Sequence, residues 1–145
     1  LFCFVDYGME KTLILYPAIA MMLLTLFLYT KSYLEGIKAL KKGDIKHSFF
    51  KVYKGDAPDI VEVSRQTLKN QFELPVFFYF LITIILVFDA VSQLDIIFGW
   101  LFVVSRYLHC YIRLGSNHIP HRAKLFQLGL IILIVWWIIS IYNIL

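Results

Sequence analysis

Charged residues are scarce in this sequence. Asp, Glu, Lys and Arg make up only 17% of its 145 residues, whereas 60% are hydrophobic and 17% are aromatic. A soluble domain of this length could not hide so much apolar surface. Together with a mean hydropathy of +0.74, the composition argues against a soluble fold and predicts a small polytopic membrane protein that forms one domain.

Cysteines and the residues of common catalytic motifs are equally sparse. The two cysteines, Cys3 and Cys110, fall near opposite membrane faces in the topology that the hydrophobic runs predict, so we expect no disulfide and a reduced, cytosol-facing Cys110. The sequence contains no nucleophile–base triad, P-loop or glycine-rich dinucleotide motif. Metal binding is not expected, because Pro120 lies between His118 and His121 and no carboxylate accompanies this pair.

Four apolar stretches are candidates for membrane-crossing helices. Residues 12–30 and 125–145 are uncharged, and the first of these would span about 28 Å as a helix, enough to cross a bilayer. The middle stretches are shorter, with fifteen uncharged residues at positions 74–88 and ten at positions 96–105. Since a crossing requires roughly twenty residues, these two helices must carry polar residues to bilayer depth.

We therefore expect an all-α, integral membrane four-helix bundle in a single domain over residues 1–145. The predicted spans cover residues 12–32, 62–89, 95–114 and 123–145. Half of the fourteen Lys and Arg residues lie in the first connection, at positions 31, 38, 41, 42, 46, 51 and 54, and the third connection adds three more, whereas the second, with Asp89 and Asp95, is acidic. The positive-inside rule places the first and third connections in the cytoplasm and both termini outside.

The start of the second span carries a row of polar residues. Arg65, Lys69 and Glu73 are spaced four residues apart and would share one face of a helix, with Asn70 beside them. One interpretation is a turn at the membrane surface in which Lys69 and Glu73 pair locally. The other is the lining of a polar cavity, which Asn70 and Glu73 favour because their short side chains cannot reach back to the membrane surface.

The third span carries a second polar row at helical spacing, formed by Arg106, His109 (or Cys110) and Arg113. A lone arginine at bilayer depth costs roughly 2.5–3.5 kcal/mol on insertion scales. We therefore expect an ion pair between Arg106 and Glu73 of the neighbouring span. Such a pair could also be purely structural and fix the register of the two helices.

A further cationic residue, Arg122, lies at the predicted cytoplasmic start of the fourth span. A helix N-terminus next to an arginine favours anions. Alone, Arg122 would be an ordinary interfacial anchor. With Arg65, Lys69, Arg106 and Arg113 nearby, however, the combined positive charge predicts an anionic ligand.

Three of these motifs together resemble the MAPEG family, the membrane-associated proteins in eicosanoid and glutathione metabolism. The first is NQFELPVFFY at residues 70–79, similar to the family's signature on the second helix and most like its bacterial branch. The others are Arg106-x-x-His109 on the third helix and Arg122 sixteen residues after Arg106. The resemblance covers the chain from Met9 onward and implies a homotrimer with the second helices nearest the three-fold axis. The expected location is the bacterial inner membrane.

By this resemblance, glutathione would bind between neighbouring subunits near the cytoplasmic side, as co-substrate or cofactor and without a metal. Arg122 would be the catalytic residue that stabilises the glutathione thiolate. Arg65 is one residue out of step with the family's usual arginine. The implied glutathione-binding residues are Lys69, Asn70, Glu73, Arg106, His109 and Arg113.

Two residues depart from the family pattern at the thiol end of the implied site. Arg113 stands where glutathione-binding members have a tyrosine, and Phe126 replaces another common aromatic hydroxyl.

The expected function is a glutathione-dependent transferase or peroxidase for lipophilic electrophiles. An isomerase that uses glutathione as a cofactor is one alternative. Another is a non-catalytic scaffold or accessory subunit that binds anionic lipid or a partner protein through the same basic cavity; no nucleic-acid partner is expected.

Overall fold

A computed structural model describes residues 11–53 and 55–145, which form helices and turns without a strand. The helices are α1 (Leu15–Lys42), α2 (Phe49–Val52), α3 (Asp59–Lys69), α4 (Leu74–Val87), α5 (Gln93–Leu114) and α6 (Ile119–Ile144). Four segments are long and apolar enough to cross a membrane, namely Lys11–Lys42, Asp59–Val87, Gln93–Leu114 and Ile119–Ile144. The predicted all-α membrane four-helix bundle is thus confirmed, and Cys3 lies outside the described residues.

The core of the bundle lies where α4, α5 and α6 meet, against α1. Phe78 of α4 stacks on Phe102 of α5 with 4.8 Å between ring centroids, and Trp136 of α6 packs edge-on against Phe78 at 5.9 Å. All three side chains are completely buried. Helices α5 and α6 share the most extensive packing. Because van der Waals contact is a main source of helix association in a membrane, this pair is expected to contribute most to holding the bundle together.

The second membrane-crossing segment is not one continuous helix. α3 ends at Lys69, a 3₁₀ turn covers Asn70–Phe72, and Glu73 has φ −104° and ψ −98° before α4 begins. Pro75 explains the break, because proline has no N–H and its ring would clash with the carbonyl oxygen four residues earlier in a continuous helix. The polar residues of this segment therefore lie at a break between two helices. At such a break, side chains need not follow the spacing of one continuous helix.

This break overturns the predicted common face of Arg65, Lys69 and Glu73. The 3₁₀ turn and the non-helical Glu73 change the direction in which side chains leave the backbone after Lys69. Arg65 pairs with Glu62, one turn earlier in α3, at 2.8 Å. Lys69 and Glu73 are both exposed, and in residues 11–53 and 55–145 they form no ion pair with each other.

Asp95, which the sequence analysis assigned to the acidic second connection and to the start of the third span, is buried within the bundle. One carboxylate oxygen accepts hydrogen bonds from Trp136 Nε1 at 2.7 Å and from Ser140 Oγ at 3.0 Å. The other accepts from the backbone N–H and the hydroxyl of Ser92, at 2.9 and 2.6 Å, and completes a capping box at the start of α5. Partners on α6, distant in sequence, thus satisfy one oxygen, and Ser92 at the start of α5 satisfies the other.

The Asp95 network gives a direct test of how α5 and α6 are joined. Asp95→Ala leaves the buried Trp136 and Ser140 donors without an acceptor, so we expect the free energy of unfolding to fall by at least about 2 kcal/mol. Tryptophan fluorescence during thermal unfolding in detergent measures the change. Gln93→Ala, an exposed change in the same helical turn, is the control. Equal melting temperatures for the two variants would show that the network contributes nothing.

Candidate functional site

Four of the predicted site residues line one cavity between the break in the second segment, α5 and α6. Asn70 comes from the 3₁₀ turn, His109 and Arg113 come from α5, and Arg122 comes from the first turns of α6. The remaining wall is formed by Ala123, Phe126 and Gln127. The cavity volume is about 300 Å³, at the small end of the range of roughly 300–1,000 Å³ usual for ligand sites.

Arg106 lies behind this cavity and contacts α6 instead of Glu73. The residue is 1% exposed, its Nη2 donates to the carbonyl oxygen of Leu125 at 3.3 Å, and its guanidinium lies 4.9 Å from the ring centroid of Phe126. No ion pair joins it to Glu73 within the described chain, so that prediction was wrong. The break at Pro75 leaves Glu73 exposed, and α6 supplies Arg106 with neutral partners.

Gly129 of α6 makes this arrangement of Arg106 possible. A Cβ atom at this position would lie 2.8 Å from Ser105 Oγ and 3.2 Å from Arg106 Nη2. Ser105 Oγ is itself bound to the carbonyl oxygen of Phe102 at 2.7 Å, so it has little freedom to move away. Small residues let membrane helices approach closely, and here the close approach gives the guanidinium access to the α6 backbone.

His109 is held in one orientation by the backbone of α6. Its Nδ1 lies 2.9 Å from the carbonyl oxygen of Arg122. Because a carbonyl oxygen can only accept, Nδ1 carries the proton in the neutral ring and Nε2 is left as an acceptor. Nε2 is buried and has no hydrogen-bond partner within the described residues. The imidazole therefore presents an unused acceptor at the cavity wall.

The two arginines that line the cavity are each held by a side-chain amide. Arg113 Nη2 donates to Gln66 Oε1 of α3 at 2.8 Å, and Arg122 Nη1 donates to Asn117 Oδ1. Both arginines are half-buried. Together with Arg106 they are close enough to His109 to act on it electrostatically. Their amide partners fix the position of each guanidinium but are neutral and form no ion pair with it.

Lys69 and Glu73 do not line the cavity in the single chain. Both are exposed, although Glu73 is near enough to Arg113 for an electrostatic interaction. Their neighbour Asn70 does line the cavity. The signature at residues 70–73 is thus divided between the cavity wall and the adjacent outer surface, where a ligand or another copy of the chain could contact it.

Cys110 and Arg65 lie away from this cavity. The buried Cys110 thiol accepts a hydrogen bond from Gln71 Nε2 at 3.5 Å and borders an apolar groove beside α1. Arg65 borders another groove, between α1 and α3. The rings of His118 and His121 are 4.4 Å apart, but no three His, Cys, Asp or Glu side chains in residues 11–53 and 55–145 form a group that could hold a metal.

Sequence reasoning missed Gln66 and Asn117, the amides that position the two cavity arginines. Gln66 precedes Asn70 by four residues, so helical spacing could have placed both on the same side of the second segment. Asn117 lies in the turn before α6 with φ +50°, a left-handed conformation that asparagine adopts more readily than most residues. Nothing in its local sequence indicates that it faces Arg122.

The close contact at Gly129 predicts a stability effect. In Gly129→Ala the new methyl group meets Ser105 Oγ and the Arg106 guanidinium, and we expect unfolding to become easier by about 1–3 kcal/mol. Thermal unfolding in detergent measures this loss, with Leu128→Ala, an exposed change on the same helix, as the control. If Gly129→Ala melts at the wild-type temperature, α5 and α6 do not approach as described.

Comparisons with known proteins agree with this architecture. Neither the curated proteins nor the solved structures provide a match. The sequence model of the MAPEG family matches residues 14–142. This region contains all four membrane-crossing segments, apart from residues 11–13 of the first and residues 143–144 of the fourth. The chain therefore belongs to the MAPEG family.

Proposed function

We propose that this protein is a membrane-bound, glutathione-dependent transferase or peroxidase for lipophilic electrophiles. The observation that supports this most is the cluster of Arg106, Arg113 and Arg122, whose hydrogen bonds within the described chain go only to neutral acceptors. Buried charge without a counter-charge is costly, so the cavity favours an anion. MAPEG proteins are generally associated with glutathione, an anion with two carboxylates.

Each lining residue has a role in this proposal. Arg113 and Arg122 bind the anionic groups of glutathione, Asn70 binds its peptide backbone, and His109 Nε2 accepts a hydrogen bond from one of its donors. Arg106 does not reach the ligand; it holds α6, and with it Arg122, against α5. Cationic side chains whose positions are fixed in advance lose less entropy when the ligand binds.

The site is completed in our proposal by a neighbouring copy in a homotrimer. Lys69 and Glu73 are exposed beside the cavity, and the start of α4 presents the large apolar side chains of Val76, Phe77 and Phe80 on the same outer surface. Packing α4 against another copy would bury these side chains and enclose Glu73, which could then bind the amino end of glutathione. MAPEG proteins generally form oligomers.

Arg122 is the proposed catalytic residue. A guanidinium near the sulfur favours the thiolate over the thiol, because an opposite charge stabilises the ionised form. In a transferase the thiolate then attacks a carbon of an electrophile that reaches the site from the lipid, and the electrophile's leaving group departs as the carbon–sulfur bond forms. In a peroxidase two glutathione molecules reduce the hydroperoxide to an alcohol and water and become the disulfide. The fixed placement of the reactants contributes to the rate. Arg113 stands in the place of the family's tyrosine and supplies N–H donors where the hydroxyl is missing.

A non-catalytic scaffold is the second candidate, and Phe126 is the observation that favours it. The residue carries no hydroxyl and its ring packs against the Arg106 guanidinium, so it cannot donate to a sulfur. In that case the cavity would hold an anion without activating it. An isomerase would bind glutathione in the same place but would not consume it.

The protein is a multi-pass membrane protein. We also propose how it is oriented in the membrane. The lysine-rich first connection and the third connection, with Arg113 and Lys124 at its ends, would face the cytoplasm. The cavity would then open toward cytosolic glutathione. The membrane would be the bacterial inner membrane.

Glutathione binding by the detergent-solubilised protein tests this function. We expect saturable binding at millimolar glutathione by calorimetry, and a loss of affinity of at least about tenfold in Arg122→Gln, equivalent to about 1.4 kcal/mol. Lys124→Gln is the matched control, because it removes the same charge from an exposed residue of α6 outside the cavity. Absence of saturable binding to the wild type would reject both glutathione-dependent functions.

Turnover of a chlorodinitrobenzene and of a lipid hydroperoxide then separates the candidates. The transferase or peroxidase consumes glutathione, and Arg122→Gln should lose this activity even at saturating glutathione. Saturable binding without consumption leaves the isomerase or the scaffold. Unchanged turnover in Arg122→Gln would mean that another residue stabilises the thiolate.

A further inference from the structure

A second groove lies between α1, α2 and α3 and is distinct from the arginine-lined cavity. It extends along one side of α1 from Tyr29 to Leu40 and is closed on the other side by α2 and by Arg65 and Leu68 of α3. The volume of this groove is about 440 Å³, and none of its lining residues also lines the cavity of Arg113 and Arg122. We refer to it as the α1–α3 groove.

One wall of the α1–α3 groove is formed by aromatic rings. Phe49, Phe50 and Tyr53 pack edge to face against one another, with centroid separations of 5.7–6.2 Å. Tyr29 and Tyr33 line the opposite side and remain exposed. This aromatic and aliphatic lining suits a hydrocarbon chain, because an apolar groove excludes water from a ligand of that kind.

Arg65 is the cationic side chain in the lining of the groove, and Glu62 balances part of its charge. Its guanidinium lies 4.8 Å from the centroid of the Tyr53 ring, and its Nη2 binds Glu62 at 2.8 Å. Its Nε is buried and has no hydrogen-bond partner within the described residues. A buried donor without an acceptor is unfavourable, so one hydrogen bond of this guanidinium remains available to a ligand.

The surroundings of the groove identify the kind of occupant. Six lysines lie between positions 31 and 51 of the sequence, in and around the segment that folds over the groove. Lys31 also marks the end of the uncharged part of the first membrane-crossing segment, so the Tyr29 end of the groove is close to the bilayer. Lysine-rich segments beside a membrane attract anionic lipid, and basic pockets between membrane helices bind its headgroups.

We propose that the α1–α3 groove binds an anionic phospholipid of the surrounding membrane. One acyl chain lies along the aromatic wall of Phe49, Phe50 and Tyr53, and the phosphate is bound near Arg65. A soluble anion would not use the apolar wall, and a neutral lipid would not use Arg65. The inference is independent of glutathione binding, because it concerns a different groove and different residues.

Native mass spectrometry of the detergent-solubilised protein tests the proposal. The protein is mixed with equal amounts of phosphatidylglycerol and phosphatidylcholine that carry the same acyl chains, in moderate salt. We expect one retained phosphatidylglycerol per chain, in preference to phosphatidylcholine. Arg65→Gln should reduce retained phosphatidylglycerol by at least about fivefold, which corresponds to about 1 kcal/mol, and should abolish the preference for it.

Two further variants distinguish the groove from general attraction to the lysines. Lys42→Gln removes the same charge from an exposed residue outside the groove and should retain the lipid as the wild type does. Ile37→Trp fills the groove and should reduce both lipids, with circular dichroism to confirm that the helices are intact. Free glycerol phosphate should not displace the lipid, because it lacks an acyl chain.

Three results would overturn the proposal. The first is equal retention of phosphatidylglycerol by wild type and Arg65→Gln. The second is an equal loss in Lys42→Gln and Arg65→Gln, which would show that lysine charge alone attracts the lipid. The third is a change in oligomeric mass in Ile37→Trp with no change in retained lipid, which would show that a second copy of the chain covers the groove.

Discussion

An arginine buried at bilayer depth must find its hydrogen-bond acceptors within the protein, and the way Arg106 does so determines the rest of the site. Its guanidinium binds the Leu125 carbonyl oxygen and packs on Phe126, which requires α6 to approach α5 closely at Gly129. The same approach brings the Arg122 carbonyl oxygen to His109. One buried cation thus sets the separation of two helices, and that separation places the cavity residues.

The break at Pro75 is the second constraint. It divides the polar start of the second segment into an inner part, with Asn70 at the cavity, and an outer part, with Lys69 and Glu73 on the surface. Glu73, the carboxylate that acts electrostatically on Arg113, therefore lies on the outer surface and forms no ion pair with the cavity arginines in the part of the chain that the structure describes. Arg65, in α3 before the break, borders a separate groove. The second segment thus contributes Asn70 to the cavity proposed for a peptide anion and Arg65 to the groove proposed for a lipid.

The sequence was sufficient for the architecture because hydrophobic length and the placement of charge are local properties. The shortness of the two middle apolar runs also showed correctly that polar residues must enter the bundle, and the motifs around Asn70, His109 and Arg122 indicated residues that the fold brings together. Pro75 is also evident in the sequence. However, the direction of the side chains after the break depends on the 3₁₀ turn, and residue spacing does not predict that turn.

The remaining features depend on contacts between residues far apart in sequence. Asp95 has the local pattern of a capping box with Ser92, but its other partners, Trp136 and Ser140, lie more than forty residues away. The pairing of Glu73 with Arg106 failed for a related reason. Charge complementarity suggested it, whereas a glycine on a third helix gave Arg106 a closer set of neutral partners. A sequence shows which groups need partners but not which of several candidates the packing brings near.

Arg113, Arg122, His109 and Asn70 form, in our proposal, one anion-binding site that a neighbouring copy completes. Electron cryo-microscopy of the detergent-solubilised protein with an S-alkyl glutathione tests it most directly. The account predicts a trimer with ligand density in contact with these four residues of one copy and with the adjacent copy. Density for the ligand elsewhere, or an occupied site formed by a single chain, would contradict it.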